Sequence, residues 1–163
     1  MTGRFEFKPF DENEDLELVL VWLIETKRAI PDTDVDIALE RKHYFADIRI
    51  IQAREKEFAS VLYLDNKPVG YLCTFPMPKH PESAWLDFCY LIPGMRGTEA
   101  SNLITERTVQ LAEQRGCKAI FLNVHHLNHR ATAFYEKNGW QLQKKKDDGY
   151  IRMKKSLAHA DSE

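Results

Sequence analysis

Two passages of strand, loop and helix follow one another without a gap in the C-terminal half of this chain, and they restrict its fold more than any other feature. The first begins with Ala84 to Ile92 (AWLDFCYLI), a buried-strand pattern that Pro93 and Gly94 terminate. The loop GMRGTEAS then leads into ASNLITERTVQLAEQRG, where Ala100, Leu103, Ile104, Thr108 and Leu111 share a helical face and Gly116 supplies a C-terminal stop. The second passage is Cys117 to Val124 (CKAIFLNV), then HHLN, then the helical segment RATAFYEKN closed by Gly139. A strand that returns through a helix to a further strand needs a crossover, the geometry of parallel neighbours.

The remainder of the chain adds simpler units. Phe5 to Phe10 alternates as a short strand does, and the acidic DENED suits the start of a helix that runs through Leu16 to Ile30 and stops at Pro31. Asp34 to Glu57 has the composition of a long helix, with Leu39, Tyr44, Ile48 and Ile51 expected on one stripe. Ser60 to Asp65 and Val69 to Phe75 form a hairpin across DNKP, and PMPKHPES reads as a Pro-rich loop. Trp140 to Lys145 and Tyr150 to Leu157 make a last hairpin across KDDG. The order β, α, α, β, β, β, α, β, α, β, β is that of a three-layer mixed α/β fold. A single domain is expected over residues 1–157, with a polar disordered tail over 158–163.

Composition narrows the function. A chain of 163 residues, 44% apolar and 29% charged, has the size and balance of one globular domain. A net charge of -2 provides no basic field for nucleic acid or an acidic membrane. The longest apolar run, Leu18 to Ile24, falls far short of the roughly 20 residues that cross a bilayer. The start of the chain lacks a secretory pattern, so a cytoplasmic location is expected. Cys73, Cys89 and Cys117 lie in apolar stretches without CxxC spacing and read as structural thiols.

Two segments carry chemistry. Arg96-Gly97-Thr98 opens a helix directly after a strand, where unpaired N–H groups and the positive dipole end suit a phosphate, although the same residues also close ordinary loops. Asn128 to Trp140 is more specific. Asn128 can cap a helix, Ala131 permits close approach, Phe134 buries its ring and Tyr135 presents a phenol on an adjacent face.

With these residues in place, the sequence resembles the GNAT acetyltransferase superfamily. Its pattern V-x-P-x-x-R-G-x-G-x-G/A appears as Leu91 to Ser101, and its later pattern N-x-x-A-x-x-F/L-Y-x-K-x-G-F as Asn128 to Trp140. Glu99 stands where the first pattern has Gly, and Ser101 where it usually has Gly or Ala. A carboxylate there repels a pyrophosphate unless it points outward, and a Cβ at 101 restricts backbone approach.

The resemblance implies a GNAT-like fold: a largely antiparallel twisted sheet with splayed central parallel strands flanked by helices. It also implies acetyl-CoA as co-substrate. Leu91 and Ile92 would offer backbone groups to the pantetheine arm, the N–H groups of Arg96, Gly97, Thr98, Glu99, Ala100 and Ser101 would hold the pyrophosphate, and Asn128 would touch the cofactor arm. Tyr135 would lie near the acetyl sulfur and protonate the leaving thiolate.

The acceptor amine needs a base. Asp87 shares a strand face with Cys89 and Leu91 and resembles an acidic position in related enzymes; it equally suits a solvated or paired carboxylate. Asn123, at a place where some relatives carry a glutamate, cannot take a proton, while the neighbouring His125 titrates in the right range. His125, His126 and His129 lack the spacing of a metal site, and Lys144-Lys145-Lys146 with Asp147-Asp148 fits a solvated turn.

The expectation is therefore direct acetyl transfer from acetyl-CoA to a primary amine of a small molecule or peptide. The backbone N–H near Leu91 would stabilise the oxyanion. The competing reading is an inactive or regulatory acyl-CoA-binding protein of the same fold. The acceptor pocket is expected between the first two helices, the segment Pro76 to Glu82 and the last hairpin. Asp32, Asp34 and Asp36 would favour a cationic amine there or merely mark a helix start. Homodimerisation is common in the family.

Overall fold

A computed structural model describes residues 3–157. The elements are β1 (Phe5–Pro9), α1 (Glu12–Arg28), α2 (Ile37–Arg54), β2 (Ala59–Leu64), β3 (Lys67–Met77), β4 (His80–Leu91), α3 (Glu99–Gln114), β5 (Ala119–His125), α4 (His129–Lys137), β6 (Gln141–Lys145) and β7 (Tyr150–Ser156). The seven strands form one mixed sheet in the order β1-β2-β3-β4-β5-β7-β6, flanked by the four helices. The expected tail over 158–163 lies outside the described residues. Two compact units divide the chain, one comprising Met1–Cys73 with Phe88–Asn102 and the other Thr74–Asp87 with Leu103–Glu163.

In the first unit β2 pairs antiparallel with both β1 and β3. The connection between β2 and β3 is only Asp65-Asn66, with φ of 49° and 66°. Both residues occupy the left-handed region that a two-residue hairpin turn requires and that Asp and Asn tolerate, so Lys67 and Pro68 belong to the strand and not to a four-residue loop. Helix α1 starts on a reciprocal pair of contacts: Asp11 accepts from the Asn13 N–H at 2.9 Å while its own N–H donates to Asp15 at 2.8 Å. The core here is aromatic. Trp22 stacks on Tyr90 at 5.1 Å, Tyr71 meets Phe88 at 5.7 Å, Phe10 stacks on Phe45 at 5.7 Å, and the Tyr44 and Tyr71 hydroxyls are 3.1 Å apart.

The stripe expected on α2 needs one correction. Phe45, Ile48 and Ile51 are buried, but Leu39 is 51% exposed. Leu39 lies about two and a half turns before Ile48 at 3.6 residues per turn, which puts it on the opposite side of the helix. Asp36, whose carboxylate accepts from the Leu39 N–H at 3.1 Å, caps that first turn.

In the second unit β5 pairs parallel with β4 over Ser83–Trp85 and Ala119–Phe121, and antiparallel with β7 over its whole length. Ile120, Leu122, Val124 and Met153 are buried on one face, together with Ile104, Thr108 and Leu111 of α3. The alternate residues Phe121, Asn123, His125, Tyr150 and Arg152 are half-exposed, so the other face of these strands is only partly covered. The segment expected as a Pro-rich loop is instead strand on both sides of a two-residue turn, Pro78-Lys79. The outer end of β4 is secured by its carbonyls: Glu82 accepts from the Lys118 N–H at 2.7 Å and Pro81 from the Cys117 thiol at 3.4 Å. Pro81 keeps its acceptor although it lacks a donor, so it can stand where only a carbonyl is used. Burial pushes the Cys117 thiol pKa up, as suits a structural thiol.

Candidate active site

The loop between β4 and α3 is closed by its own hydrogen bonds. Thr98 caps α3, accepting at its hydroxyl from the Ala100 N–H at 3.2 Å and donating to the Met95 carbonyl at 2.5 Å. Gly97 adopts φ +72°, a conformation that costs a side-chain-bearing residue energy, and its N–H donates to the Ser101 hydroxyl at 3.1 Å. Ser101, 8% exposed, thus has a local reason to replace a smaller residue. Glu99 and Thr98 are exposed, and Ala100 is buried.

Arg96 does not extend freely into solvent. Its Nε donates to the Leu91 carbonyl at 2.9 Å and its guanidinium lies 5.3 Å from the centre of the Tyr90 ring. Five of the expected donors are already engaged within this unit. The Ile92 N–H donates to the Val69 carbonyl at 2.9 Å, the Arg96 N–H to the Pro93 carbonyl at 3.3 Å and the Ser101 N–H to the Thr98 carbonyl at 3.0 Å, while the Gly97 and Ala100 N–H groups are held by the Ser101 and Thr98 hydroxyls. In an antiparallel pair successive residues point their N–H groups to opposite strand edges, so the Leu91 N–H is directed away from β3.

In the second unit Asn128 is the N-cap of α4, its amide oxygen accepting from the Ala131 N–H at 3.2 Å. Tyr135, in the last turns of α4, is half-buried with its ring 5.6 Å from Phe134 and 5.5 Å from Trp140. Its carbonyl accepts from the Trp140 N–H at 3.0 Å, so the chain reversal at Gly139, φ +89°, folds Trp140 back onto the tyrosine. Asp87 is exposed on the same face of β4 as Ser83 and Trp85.

His125 is pinned on several sides. Its Nδ1 accepts from the Leu127 N–H at 3.2 Å, its ring stacks on His126 at 4.8 Å and meets Tyr150 edge-on at 5.1 Å. In the neutral ring Nδ1 is then the acceptor and Nε2 carries the proton, directed at the Gly149 turn. No group of three or more His, Cys, Asp or Glu side chains among the described residues is arranged to hold a metal ion.

A cavity of about 580 Å³ opens on the partly covered face of the second unit, with Phe75, Trp85, Phe121, Asn123, Gln143 and Arg152 in its wall. Every wall residue belongs to that unit, and Asp32, Asp34 and Asp36 are not among them. The sequence reading missed Arg152, although YIRMKKS alternates and places Tyr150, Arg152 and Lys154 together opposite Met153.

The acetyltransferase (GNAT) family model matches residues 19–140, three quarters of the chain. The chain belongs to the GNAT acetyltransferase family. Acetyl-CoA is the co-substrate of this family. Solved GNAT structures share the fold at low identity. The PaiA N-acetyltransferase from Thermoplasma acidophilum, in complex with coenzyme A, is 16% identical with a TM-score of 0.76, covering 94% of this chain and 99% of its own. An acetyltransferase from Thermus thermophilus is 18% identical with a TM-score of 0.73, covering 96% and 98%. The putative acetyltransferase yncA from Salmonella typhimurium, with its cofactor acetyl-CoA, is 11% identical with a TM-score of 0.65, covering 94% of each. No curated protein sequence matches the chain significantly. No helix of the described residues is long and apolar enough to cross a membrane.

Proposed function

We propose that this GNAT chain acts as a single domain over residues 1–157 and transfers the acetyl group of acetyl-CoA to a primary amine of a small molecule or peptide, by direct attack within a ternary complex. The observation that carries this reading is the family match over residues 19–140, which includes both the Leu91–Ser101 and the Asn128–Trp140 segments. Leu91, Ile92, Arg96, Gly97, Thr98, Glu99, Ala100, Ser101 and Asn128 are the proposed donor-binding residues. The Leu91 N–H is the proposed oxyanion donor, since the Ile92 N–H is engaged by Val69.

Tyr135 is the proposed acid for the CoA thiolate, because a phenol has a proton to donate as the thiolate leaves, and its ring is placed against Trp140 at 5.5 Å. Asp87 is the proposed base, directly or through water. His125 is the lesser candidate, since Nδ1 is engaged by Leu127 and the ring is fixed by two neighbours. The departures at Glu99 and Ser101 from the family's loop pattern favour one competing reading, an inactive or regulatory acyl-CoA-binding protein of the same fold.

Calorimetric titration with acetyl-CoA, followed by thiol release over a panel of amines, tests the proposal. Binding with amine-dependent CoA release is expected. Binding without release over the whole panel establishes the regulator, and no binding at millimolar acetyl-CoA removes both readings.

A further inference from the structure

We propose that the cavity on the open face of the second unit is an acceptor subsite with Arg152 as its anion-binding group, so that the preferred acceptor is an amine that also carries a carboxylate beside an apolar or aromatic body. The inference rests on the acetyltransferase reading for its chemistry but on the cavity alone for its selectivity. Arg152 stands on β7 directly across from Asn123 of β5. Its Nε donates to the Asn123 amide oxygen at 3.2 Å, and its guanidinium lies 5.4 Å from the centre of the Trp85 ring. One bond and one ring face fix the plane of the guanidinium, which leaves the fork of its terminal nitrogens as the part able to grip a second planar group.

The surroundings select the sign of that group. The wall contains no Asp or Glu, and Lys154, next to Arg152 on the same face of β7, lies 5.8 Å from the Phe121 ring centre. Lys144 is paired with Arg152 from β6. No acidic side chain of the wall opposes a carboxylate at Arg152, and a two-point contact with arginine is the geometry a carboxylate fits. Phe75, Trp85 and Phe121 supply flat apolar walls, and about 580 Å³ accommodates a small organic molecule. The amine end has a matching cue. Asp87 lies two residues beyond Trp85 on the same face, about 7 Å along the strand, so a zwitterionic acceptor would present its two charges to opposite partners.

The test separates selectivity from catalysis. Binding of 3-phenylpropanoate and of 3-phenylpropanamide, which differ in the charged group alone, is measured by calorimetry on wild type, Arg152→Gln and Arg152→Lys. Acetylation of phenylalanine and of its amide is followed in parallel. Wild type is expected to bind the carboxylate about tenfold more tightly than the amide, as a charge-assisted pair implies. Arg152→Gln should remove the preference, through KM and not kcat where turnover occurs, and Arg152→Lys should restore part of it. All variants should keep their melting temperature and acetyl-CoA affinity. Equal binding of the pair by wild type, binding of neither, or a preference that survives Arg152→Gln overturns the subsite even if amines are acetylated. A carboxylate preference lost in Arg152→Gln, without acetylation of any amine, upholds the subsite and removes the acetyltransferase reading instead.

Discussion

The hydroxyl of Ser101 accepts a hydrogen bond from the N–H of Gly97 at 3.1 Å, four residues back across the loop that opens α3. A family pattern that prefers glycine or alanine at this place is therefore broken by a residue with a bond to make. Ser101→Ala is expected to lower stability by about 1 kcal/mol, or about 2–4 °C in Tm for a chain of this size, because it deletes one part-buried neutral hydrogen bond. Acetyl-CoA should bind the variant no more weakly than twofold, since the Gly97 N–H becomes available to an anion. Calorimetry and thermal denaturation check both, and a tenfold loss of affinity would show that the Ser101 contact belongs to the bound state.

Tyr135→Phe is expected to reduce kcat by about a hundredfold while leaving acetyl-CoA affinity within twofold, as removal of a positioned acid does. The Phe134, Tyr135 and Trp140 ring cluster survives the change, so Tm should hold. Steady-state kinetics with any turned-over amine, beside a donor titration, decides it. An unchanged kcat would take the acid role from Tyr135.

Gly149 has φ +88°, and a Cβ built on it would lie 2.9 Å from His125 Nε2. Gly149→Ala should destabilise by more than the roughly 1–2 kcal/mol of the left-handed backbone alone, because the ring is held by Leu127, His126 and Tyr150 and cannot swing aside freely. In a His125→Ala background the cost should shrink. Urea denaturation of the two single variants and the double variant measures this coupling, and strict additivity would mean that His125 is not the obstacle.

Tyr63 donates to the buried Asp15 carboxylate at 2.9 Å, and its pKa is pushed up to about 12 by burial first and by that carboxylate second. The folded value lies above the unfolded value of about 10, so the contribution of the neutral phenol is complete below pH 10 and fades as pH rises through 12. Stability measured across pH 9–12 should fall more steeply for wild type than for Tyr63→Phe. Parallel curves would contradict the shift.

The sequence by itself determined the order of all eleven elements, because strand alternation, helical spacing and the Gly116 and Gly139 stops are local signals carried by neighbouring residues. It also carried the Leu91–Ser101 and Asn128–Trp140 patterns that point to the family. Its errors were of two kinds. Leu39 was assigned a face that helical geometry denies it, which closer counting would have caught. The Pro76–Glu82 segment was read as a loop because prolines usually mark one, whereas strand pairing and the Lys118 and Cys117 bonds decide otherwise.

Only the tertiary structure decided which backbone donors remain for chemistry, and which side chains share a wall. Ile92 spends its N–H on Val69, 23 positions earlier, and Arg152 meets Asn123 and Trp85 only through the register of three strands. Register joins residues far apart in the chain through backbone hydrogen bonds that are nearly indifferent to side-chain identity. Partners of that kind leave little trace in the local pattern of residues.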